Sequence, residues 1–256
     1  MTSDTAAAEY IGLLESLRTG SEWIKLLVAV MGDVGPAAQT LGGLLRVTNR
    51  ETFSPVSDIA GAARLPIPTV RKHIAVLHER GWVNHRGREK TRRGWLRRTA
   101  TIALTKQTKD HLEPYGFLPW WACCRGKAHL PWCARAILSI VLARLAALKH
   151  GAMCDGFATT EEEVMDQIEN MGVEERFRFS LAYLTGQTGL SRETVVVAKR
   201  RLHNLGMVRW AGTRPTTGQN TGTDILSPNW EFRVRVTPAS EGHIYVAFDR
   251  GSENGQ

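Results

Sequence analysis

Two stretches of this chain resemble each other: Leu65–Val83 reads LPIPTVRKHIAVLHERGWV, and Leu190–Val208 reads LSRETVVVAKRRLHNLGMV. The second begins 125 positions after the first. Extended toward the N-terminus and aligned without gaps, Val56–Val83 and Leu181–Val208 have 8 identities in 28 positions. We call these two segments the first and the second repeat. The identical pairs are Gly61 and Gly186, Leu65 and Leu190, Thr69 and Thr194, Val70 and Val195, Leu77 and Leu202, His78 and His203, Gly81 and Gly206, and Val83 and Val208.

Each repeat is predicted to form two short helices joined by a turn. In the first repeat, Val70, Ile74 and Leu77 recur at helical spacing and give the second helix one buried stripe. Gly81 is the expected end of that helix, because a left-handed residue there favours glycine. The Ser57 hydroxyl is expected to cap the first helix. The second repeat has the same pattern, with Leu181, Leu184, Leu190, Val195, Leu202 and Leu205 facing inward and a stop at Gly206.

Strand-like sequence around a basic or polar tip follows each pair of helices. After Gly81, WVNHRGREKTRRGWLRRTATIALT contains two strand-like pieces around a tip rich in glycine and arginine. After Gly206, Met207–Ala211 and Trp230–Val236 are predicted to flank a polar loop as a hairpin. Apolar and charged residues alternate in WEFRVRV, which is the period of a half-buried strand. The predicted fold class is therefore mainly α with small β-hairpins (α+β).

This order of helix, turn, helix and hairpin resembles the winged-helix family, and two winged-helix domains in tandem are expected. The first half is similar to MarR-type regulators in VSDIAGAARLPIPTVRKHIAVLHERGWV and the later IALTKQTKDHLEPY. It departs from them in GREKTRRG, which lacks their Asp, and at Thr108, where they have glycine. The second half, led by LPWCARAILSIVLARLAAL, resembles helix-turn-helix modules of plasmid and phage replication proteins. It departs from them in a long acidic insert after the leading helix.

The two expected domains meet after residue 117. Residues 1–117 form the N-terminal winged-helix domain, whose motif spans 56–104 and whose packing helices are expected from Ile11–Met31 and Leu41–Arg46. Residues 118–256 form the C-terminal winged-helix domain, with its motif at 181–237 and the acidic insert at 151–175. Near the C-terminus of this domain, the sequence HIYVAF is expected to add a strand.

The resemblance implies that each second helix enters the major groove of DNA while the wing rests on the backbone or the minor groove. Between Arg64 and Lys109 there are 13 Lys or Arg and two Glu, an excess larger than the +8 net charge of the whole chain. We interpret this charge as neutralising phosphates, which supplies sequence-independent affinity. The residues expected at the DNA are Thr69, Arg71 and Lys72 on the helix and Arg86, Arg88, Lys90, Arg92 and Arg93 on the wing.

The second repeat offers the groove a different chemistry. Its outward face includes two adjacent valines, Val196 and Val197. They either contact thymine methyl groups or are buried against another part of the protein. Under the first alternative the two repeats read different sequences and the DNA site is asymmetric. The residues expected at the DNA are Ser191, Arg192, Val196, Val197 and Arg200, with Lys199 and Arg201 nearby.

Metal and catalytic sites have little support in the residues. Cys123, Cys124, His129 and Cys133 lack the spacing of two to four residues that paired cysteines have in structural zinc sites. No metal and no cofactor is therefore expected. The sequence has no phosphate-binding Gly-Lys-Thr loop, serine nucleophile elbow or His-Glu-x-x-His pair, so no enzyme is expected. His78 and His203 recur at one repeat position, which favours packing or backbone contact over acid–base chemistry.

The remaining features concern compartment and partners. Met1–Tyr10 lacks the basic and apolar regions of a secretory signal, and the cysteines are interpreted as reduced thiols in a cytoplasmic protein. No run approaches the roughly 20 apolar residues of a membrane helix, so no membrane partner is expected. The acidic insert is interpreted as a surface helix, with a protein contact or a screen over a basic surface as alternatives. A homodimer stays open.

The predicted function is binding of double-stranded DNA by a basic protein with a pI near 9.6. A sequence-specific transcriptional regulator is favoured by the first half. A plasmid or phage replication initiator, binding repeated origin sites, is the first alternative. A scaffold whose winged helices bind protein is the second. The sequence leaves open the target DNA sequence, any effector ligand and the oligomeric state.

Overall fold

Helices and small antiparallel sheets make up the described part of the chain, which confirms the α+β class in this coarse form. None of the helices in this part is long and apolar enough to cross a membrane. The structure, a computed structural model, describes residues 9–12, 23–47, 54–86, 90–91, 94–95, 101–105, 116–123, 130–154, 163, 176–214, 223–229, 232–238 and 244–249.

The chain begins with two strands and then turns into helix. A 3-10 turn at Val28–Val30 leads into the helices, and the longer of them packs against the second strand. These elements are β1 (Glu9–Gly12), β2 (Trp23–Leu26), α1 (Met31–Val34) and α2 (Ala37–Val47).

The first repeat forms two helices beside a three-stranded antiparallel sheet. The strand before the helices pairs with the last strand of the unit, and that last strand pairs with the strand that follows the helices. Two further short strands pair with each other near the tip. The elements are β3 (Ser54–Pro55), α3 (Val56–Ala63), α4 (Ile67–Glu79), β4 (Val83–Arg86), β5 (Lys90–Thr91), β6 (Gly94–Trp95) and β7 (Thr101–Leu104).

The second repeat has the same topology. After one strand, a 3-10 turn at Trp120–Cys123 and a long helix, the chain forms strand, helix, helix, strand and strand. The last of these strands again lies between the other two. The elements are β8 (Gly116–Pro119), α5 (Trp132–Cys154), β9 (Arg178–Ser180), α6 (Leu181–Thr188), α7 (Arg192–Asn204), β10 (Val208–Arg214) and β11 (Thr223–Pro228).

The offset of 125 holds for the structure as well as for the sequence. α6 begins and ends 125 positions after α3, and α7 begins and ends 125 positions after α4. β10 begins 125 positions after β4. The two units therefore share their boundaries although most of their residues differ.

A glycine turn ends the second helix of each repeat. Gly81 and Gly206 have φ values of 75° and 72°, a conformation that glycine adopts without the strain of a Cβ. The N–H of Trp82 donates to the carbonyl of Leu77, and the N–H of Gly81 donates to that of His78. Met207 and Gly206 make the equivalent bonds to Leu202 and His203. This is the Schellman pattern, and it confirms the predicted glycine stops.

Both repeats belong to one continuous buried core. Gly32, in α1, lies so close to Gly189, in the turn between α6 and α7, that a Cβ on Gly32 would overlap the Gly189 carbonyl. Within the second unit, Trp121 packs on Phe232 with ring centroids 5.9 Å apart. The division after residue 117 stays a prediction about folding units. The Gly32–Gly189 approach is a backbone contact across that division.

A buried hydrogen-bond chain also joins α5 to the first repeat. The Nη1 of Arg135 donates to the Oε1 of Gln39 over 2.7 Å. The Nε2 of Gln39 donates to the carbonyl of Ala63, at the end of α3, over 2.7 Å. Because these polar groups are buried, each of them needs its partner to offset the loss of water. The chain therefore fixes the position of α3 relative to α5.

The predicted helix over Ile11–Met31 is wrong where the structure describes strands within that range. β1 includes Ile11 and Gly12, and β2 occupies Trp23–Leu26, while residues 13–22 lie outside the described part of the chain. In β2, Ile24 and Leu26 are buried while Lys25 between them is partly exposed, which is the alternation of a strand. β2 pairs with β8, so its backbone groups are bonded to another strand. The helix predicted over Leu41–Arg46 is confirmed within α2.

The predicted second hairpin is wrong in its partner strand. β10 pairs with β11, which ends at Pro228, and not with the WEFRVRV segment. That segment supplies a strand of a different sheet, ordered β1, β12, β13. The motif predicted over 181–237 therefore closes earlier, because β11 already bonds β10 on one edge and β9 on the other. The strand predicted at HIYVAF is confirmed as the last one. These strands are β12 (Arg233–Pro238) and β13 (Ile244–Asp249).

The predicted cap at Ser57 is also wrong. α3 begins at Val56, and Pro55 occupies the cap position without a side-chain hydrogen bond. The Ser57 hydroxyl donates to Asp58 over 3.0 Å. The cap position lies two residues before Ser57. In the second repeat, Ser180 stands at the position equivalent to Pro55, and its hydroxyl accepts the N–H of Tyr183 over 3.0 Å.

Gly42→Ala tests how closely α2 packs on β2. A Cβ at Gly42 would overlap the backbone carbonyl of Lys25, and backbone cannot move aside as a flexible side chain can. We expect the substitution to lower the free energy of unfolding by about 2 kcal/mol or more. The measurement is urea denaturation followed by circular dichroism.

Gly61→Ala is the matched control, because Gly61 is a helical glycine with open space where its Cβ would stand. Alanine is the better helix former, so we expect this variant to gain about 0.5–1 kcal/mol. Equal effects of the two substitutions would contradict the close packing of α2 on β2.

Candidate nucleic-acid interface

The buried stripe of α4 decides which of its residues face outward. Val70, Ile74 and Leu77 are buried in the core, as predicted. Arg71 and Lys72 lie on the other side of the helix and are exposed. Among the residues that the structure describes, neither cation is paired with a carboxylate. α4 therefore presents two free positive charges to solvent.

Side-chain hydrogen bonds hold α4 against α2 and α1. His73 Nδ1 lies 2.7 Å from the hydroxyl of Thr40, and burial lowers the pKa of His73 below its ordinary value. Just after the C-terminal end of α4, Asp33 accepts hydrogen bonds from Arg80, over 3.0 Å, and from the indole N–H of Trp82, over 2.7 Å. Contacts at the middle and at the C-terminal end of α4 fix the orientation of its exposed face.

The second helix of the second repeat buries Val195, Ala198 and Leu202 in the same way. Val197 is 59% exposed, and Val196 is half-buried. The exposure of Val197 disfavours the alternative in which the valines are buried against another part of the chain. The cations exposed on α7 are Arg192, Arg200 and Arg201, and none of them has a carboxylate partner within the described ranges.

The two helices differ most where both are exposed. Position by position, Arg71 and Lys72 of α4 correspond to Val196 and Val197 of α7. Ala75 and Val76 of α4 correspond to Arg200 and Arg201 of α7. The order of cationic and apolar residues along the exposed face is therefore reversed between the repeats.

Two predicted contact residues are occupied within the protein. The Ser191 hydroxyl accepts the N–H of Thr194 over 3.2 Å and so caps α7. It also lies 3.2 Å from a carboxylate oxygen of Glu193. Thr69, on α4, is half-buried. Ser191 is exposed but holds the cap position just before α7, and Thr69 lies in the first turn of α4.

Lys199, which was expected near the outward face of α7, is buried instead. It is only 2% exposed, and its ammonium stands 4.9 Å from the ring centroid of Trp210, a cation–π distance. Burial lowers its pKa below the ordinary lysine value of 10.5. The repeat alignment contained the signal for this burial, because Lys199 corresponds to Ile74 of the buried stripe.

The repeated histidines have the structural role that was predicted. The Nδ1 of His78 lies 3.0 Å from the carbonyl oxygen of Val83, and that of His203 lies 3.3 Å from the oxygen of Val208. Each imidazole must carry its proton on Nδ1 to donate this bond. Each also meets an aromatic ring of the following strand edge-on, His85 in the first repeat and Trp210 in the second. The histidines tie each helix to the strand after it.

The predicted wing contacts of the first repeat are described only in part. β4 ends at Arg86 and β5 begins at Lys90, so their backbone positions are known. Arg86 pairs with Thr101 of β7 at the last register position of β4, and Lys90 pairs with Trp95 of β6. Arg88, Arg92 and Arg93 lie outside the described residues.

The region between the repeats provides no metal site within the described residues. No group of three or more His, Cys, Asp or Glu stands close enough there to hold an ion. Cys123 is buried and Cys133 half-buried, and neither forms a disulfide with another described cysteine. Cys124 and His129 lie outside the described part, as does most of the acidic insert at 151–175.

Sequence reasoning missed the buried Gln39 and Arg135. No periodic pattern marks a hydrogen bond between residues 96 positions apart.

No family model matches this chain, and no curated protein is significantly similar to it.

Lys199→Met tests the buried lysine. At neutral pH we expect the variant to be about 1 kcal/mol more stable, because losing a desolvated charge outweighs losing a cation–π contact. The lowered pKa means that the unfolded chain binds this proton more readily than the folded chain does. Wild-type stability therefore rises with pH between the lowered pKa and 10.5, and the advantage of the variant shrinks across that window.

Urea denaturation at a series of pH values up to about 10.5 measures this difference. Lys72→Met removes an exposed lysine at the surface of α4 and controls for the loss of one positive charge. If the advantage of Lys199→Met were the same at neutral and alkaline pH, burial would not be what lowers the pKa of Lys199.

Proposed function

We propose that the chain binds double-stranded DNA through two winged-helix units, with α4 and α7 as the recognition helices. The observation that carries the proposal is the repeated unit itself. Each unit buries one stripe of its second helix, and the cations on the opposite face have no carboxylate partner among the described residues. Exposed cations cost a protein little stability, so they do not by themselves require a function. A protein that binds DNA, however, needs cations on the surface that contacts the phosphates.

The chemistry of the exposed faces suits a duplex. Arg and Lys donate to guanine O6 and N7 in the major groove and to phosphates beside it. The groove is about 12 Å wide, which admits one α-helix. On this proposal, the paired strands that follow each helix, β4 with β7 and β10 with β11, act as the wings that contact the DNA backbone. On this proposal the wing cations neutralise phosphates and the helices choose the sequence.

Within DNA binding, we propose a sequence-specific transcriptional regulator. The resemblance of the first half to MarR-type regulators supports this role. The tandem arrangement favours a second candidate, a replication initiator, because two unlike recognition helices on one chain do not require a palindromic site. A map of the purified protein on fragmented DNA from its own source separates the two. Isolated promoter sites support the regulator, and clustered direct repeats at an AT-rich origin support the initiator.

Arg71→Ala and Arg92→Ala test the division of labour between helix and wing. We expect Arg71→Ala to weaken binding to the selected site by about 1–3 kcal/mol and to relax base preference, because a bidentate contact to guanine is lost. We expect Arg92→Ala to weaken binding to all sequences alike and to lower the salt slope by about one.

Fluorescence anisotropy on the selected duplex and on random duplex, at several salt concentrations, measures both effects. Each variant is the control for the other, since each removes one arginine. Equal losses on both duplexes for both variants would defeat the proposed roles. Binding to a protein partner that does not depend on salt, with no DNA affinity, would instead favour the scaffold.

A further inference from the structure

Val197 is an exposed apolar residue in a cationic setting. Of the large hydrophobic residues exposed in the described part of the chain, it is the most exposed, at 59%. On the helix, Arg200 and Arg201 stand three and four positions later and are its neighbours on the surface. A protein interface core is depleted in charge, so this setting fits an anionic partner better than an apolar protein surface.

Neither helix formation nor the core explains a valine at this position. Valine is β-branched and is a poorer helix former than lysine or alanine. More than half of its surface stays exposed, and the aligned position in α4 carries Lys72. The exposed face of α7 therefore has an apolar contact surface that its own fold does not use.

The major groove of DNA has one apolar feature, the C5 methyl group of thymine. We propose that Val197 contacts a thymine methyl group, so that α7 recognises a thymine-containing half-site while Arg71 and Lys72 direct α4 to guanine. This inference rests on the proposed function and names the base chemistry of the second recognition helix. The reversed order of cationic and apolar residues on the two helices makes the whole site non-palindromic.

The test uses a duplex selected by the full chain from a random library. Each thymine of the second half-site is replaced in turn by uracil, which removes only the methyl group. We expect wild-type affinity to fall about fourfold at one or two positions, the value of one buried methyl-sized group. For Val197→Ala we expect thymine and uracil duplexes to bind equally, because the apolar partner is gone. The substitution is exposed and replaces valine by the best helix former, so folding is preserved.

Val76→Ala is the matched control, since Val76 is an exposed valine on α4. It must keep the full uracil effect in the second half-site. A duplex with 5-methylcytosine in place of the thymine keeps the methyl group but changes the base pair. If the 5-methylcytosine duplex binds better than the cytosine duplex, the methyl group itself is recognised. If only the thymine duplex binds well, Val197 acts together with neighbouring residues that recognise the A·T pair.

The outcomes separate this inference from the proposed function. Selection that enriches no DNA overturns both. Enrichment with a guanine preference that Arg71→Ala relaxes, but with no uracil effect at any position, keeps the function and overturns the role of Val197. An equal uracil effect in wild type and Val197→Ala also overturns it, because another group then contacts the methyl.

Discussion

The glycine turn at the end of each second helix is the constraint on which the rest of the structure depends. At Gly81 and Gly206 the backbone enters the left-handed region, and the N–H of the next residue, three positions beyond the helix end, donates to a carbonyl in the last turn of the helix. The turn directs the following strand back along the helix. There, the histidine three residues before the glycine makes a hydrogen bond from its Nδ1 to a backbone carbonyl of the strand. Strand and core then lie on one side of the helix, and the opposite side has to face solvent.

A scaffold fixed in this way leaves the exposed residues free to differ. The repeats share helix boundaries, glycine turns, histidine bonds and sheet order, yet no exposed position of α4 between Arg71 and Val76 has the same residue in α7. Even the stripe tolerates Lys199 where the first repeat has Ile74, because Trp210 offers its ring to the ammonium. Conserved packing with divergent faces is what two recognition helices of different specificity require.

Local sequence patterns were sufficient to predict the helices and turns of the repeats, but not the strands around them. The stripe of Val70, Ile74 and Leu77 and the glycine stops follow from helical spacing and from backbone conformation, and the sequence predicted them. The partner of β10 did not follow, because 223–228 and 230–236 both suit a strand and only the tertiary pairing with β9 and β1 decides between them. β2 was mistaken for helix because its four residues are too few to reveal a period of two.

If the repeats are two copies of one recognition unit, as we propose, then exchanging the exposed residues of α4 and α7 should change which DNA sequence is bound. Replacing Arg71, Lys72, Ala75 and Val76 of α4 by the Val, Val, Arg and Arg of α7 changes four exposed residues and leaves the stripe intact. Selection from a random duplex library would then measure the preferred site. We expect the half-site of α4 to be replaced by a second copy of the half-site of α7. An unchanged site would contradict it.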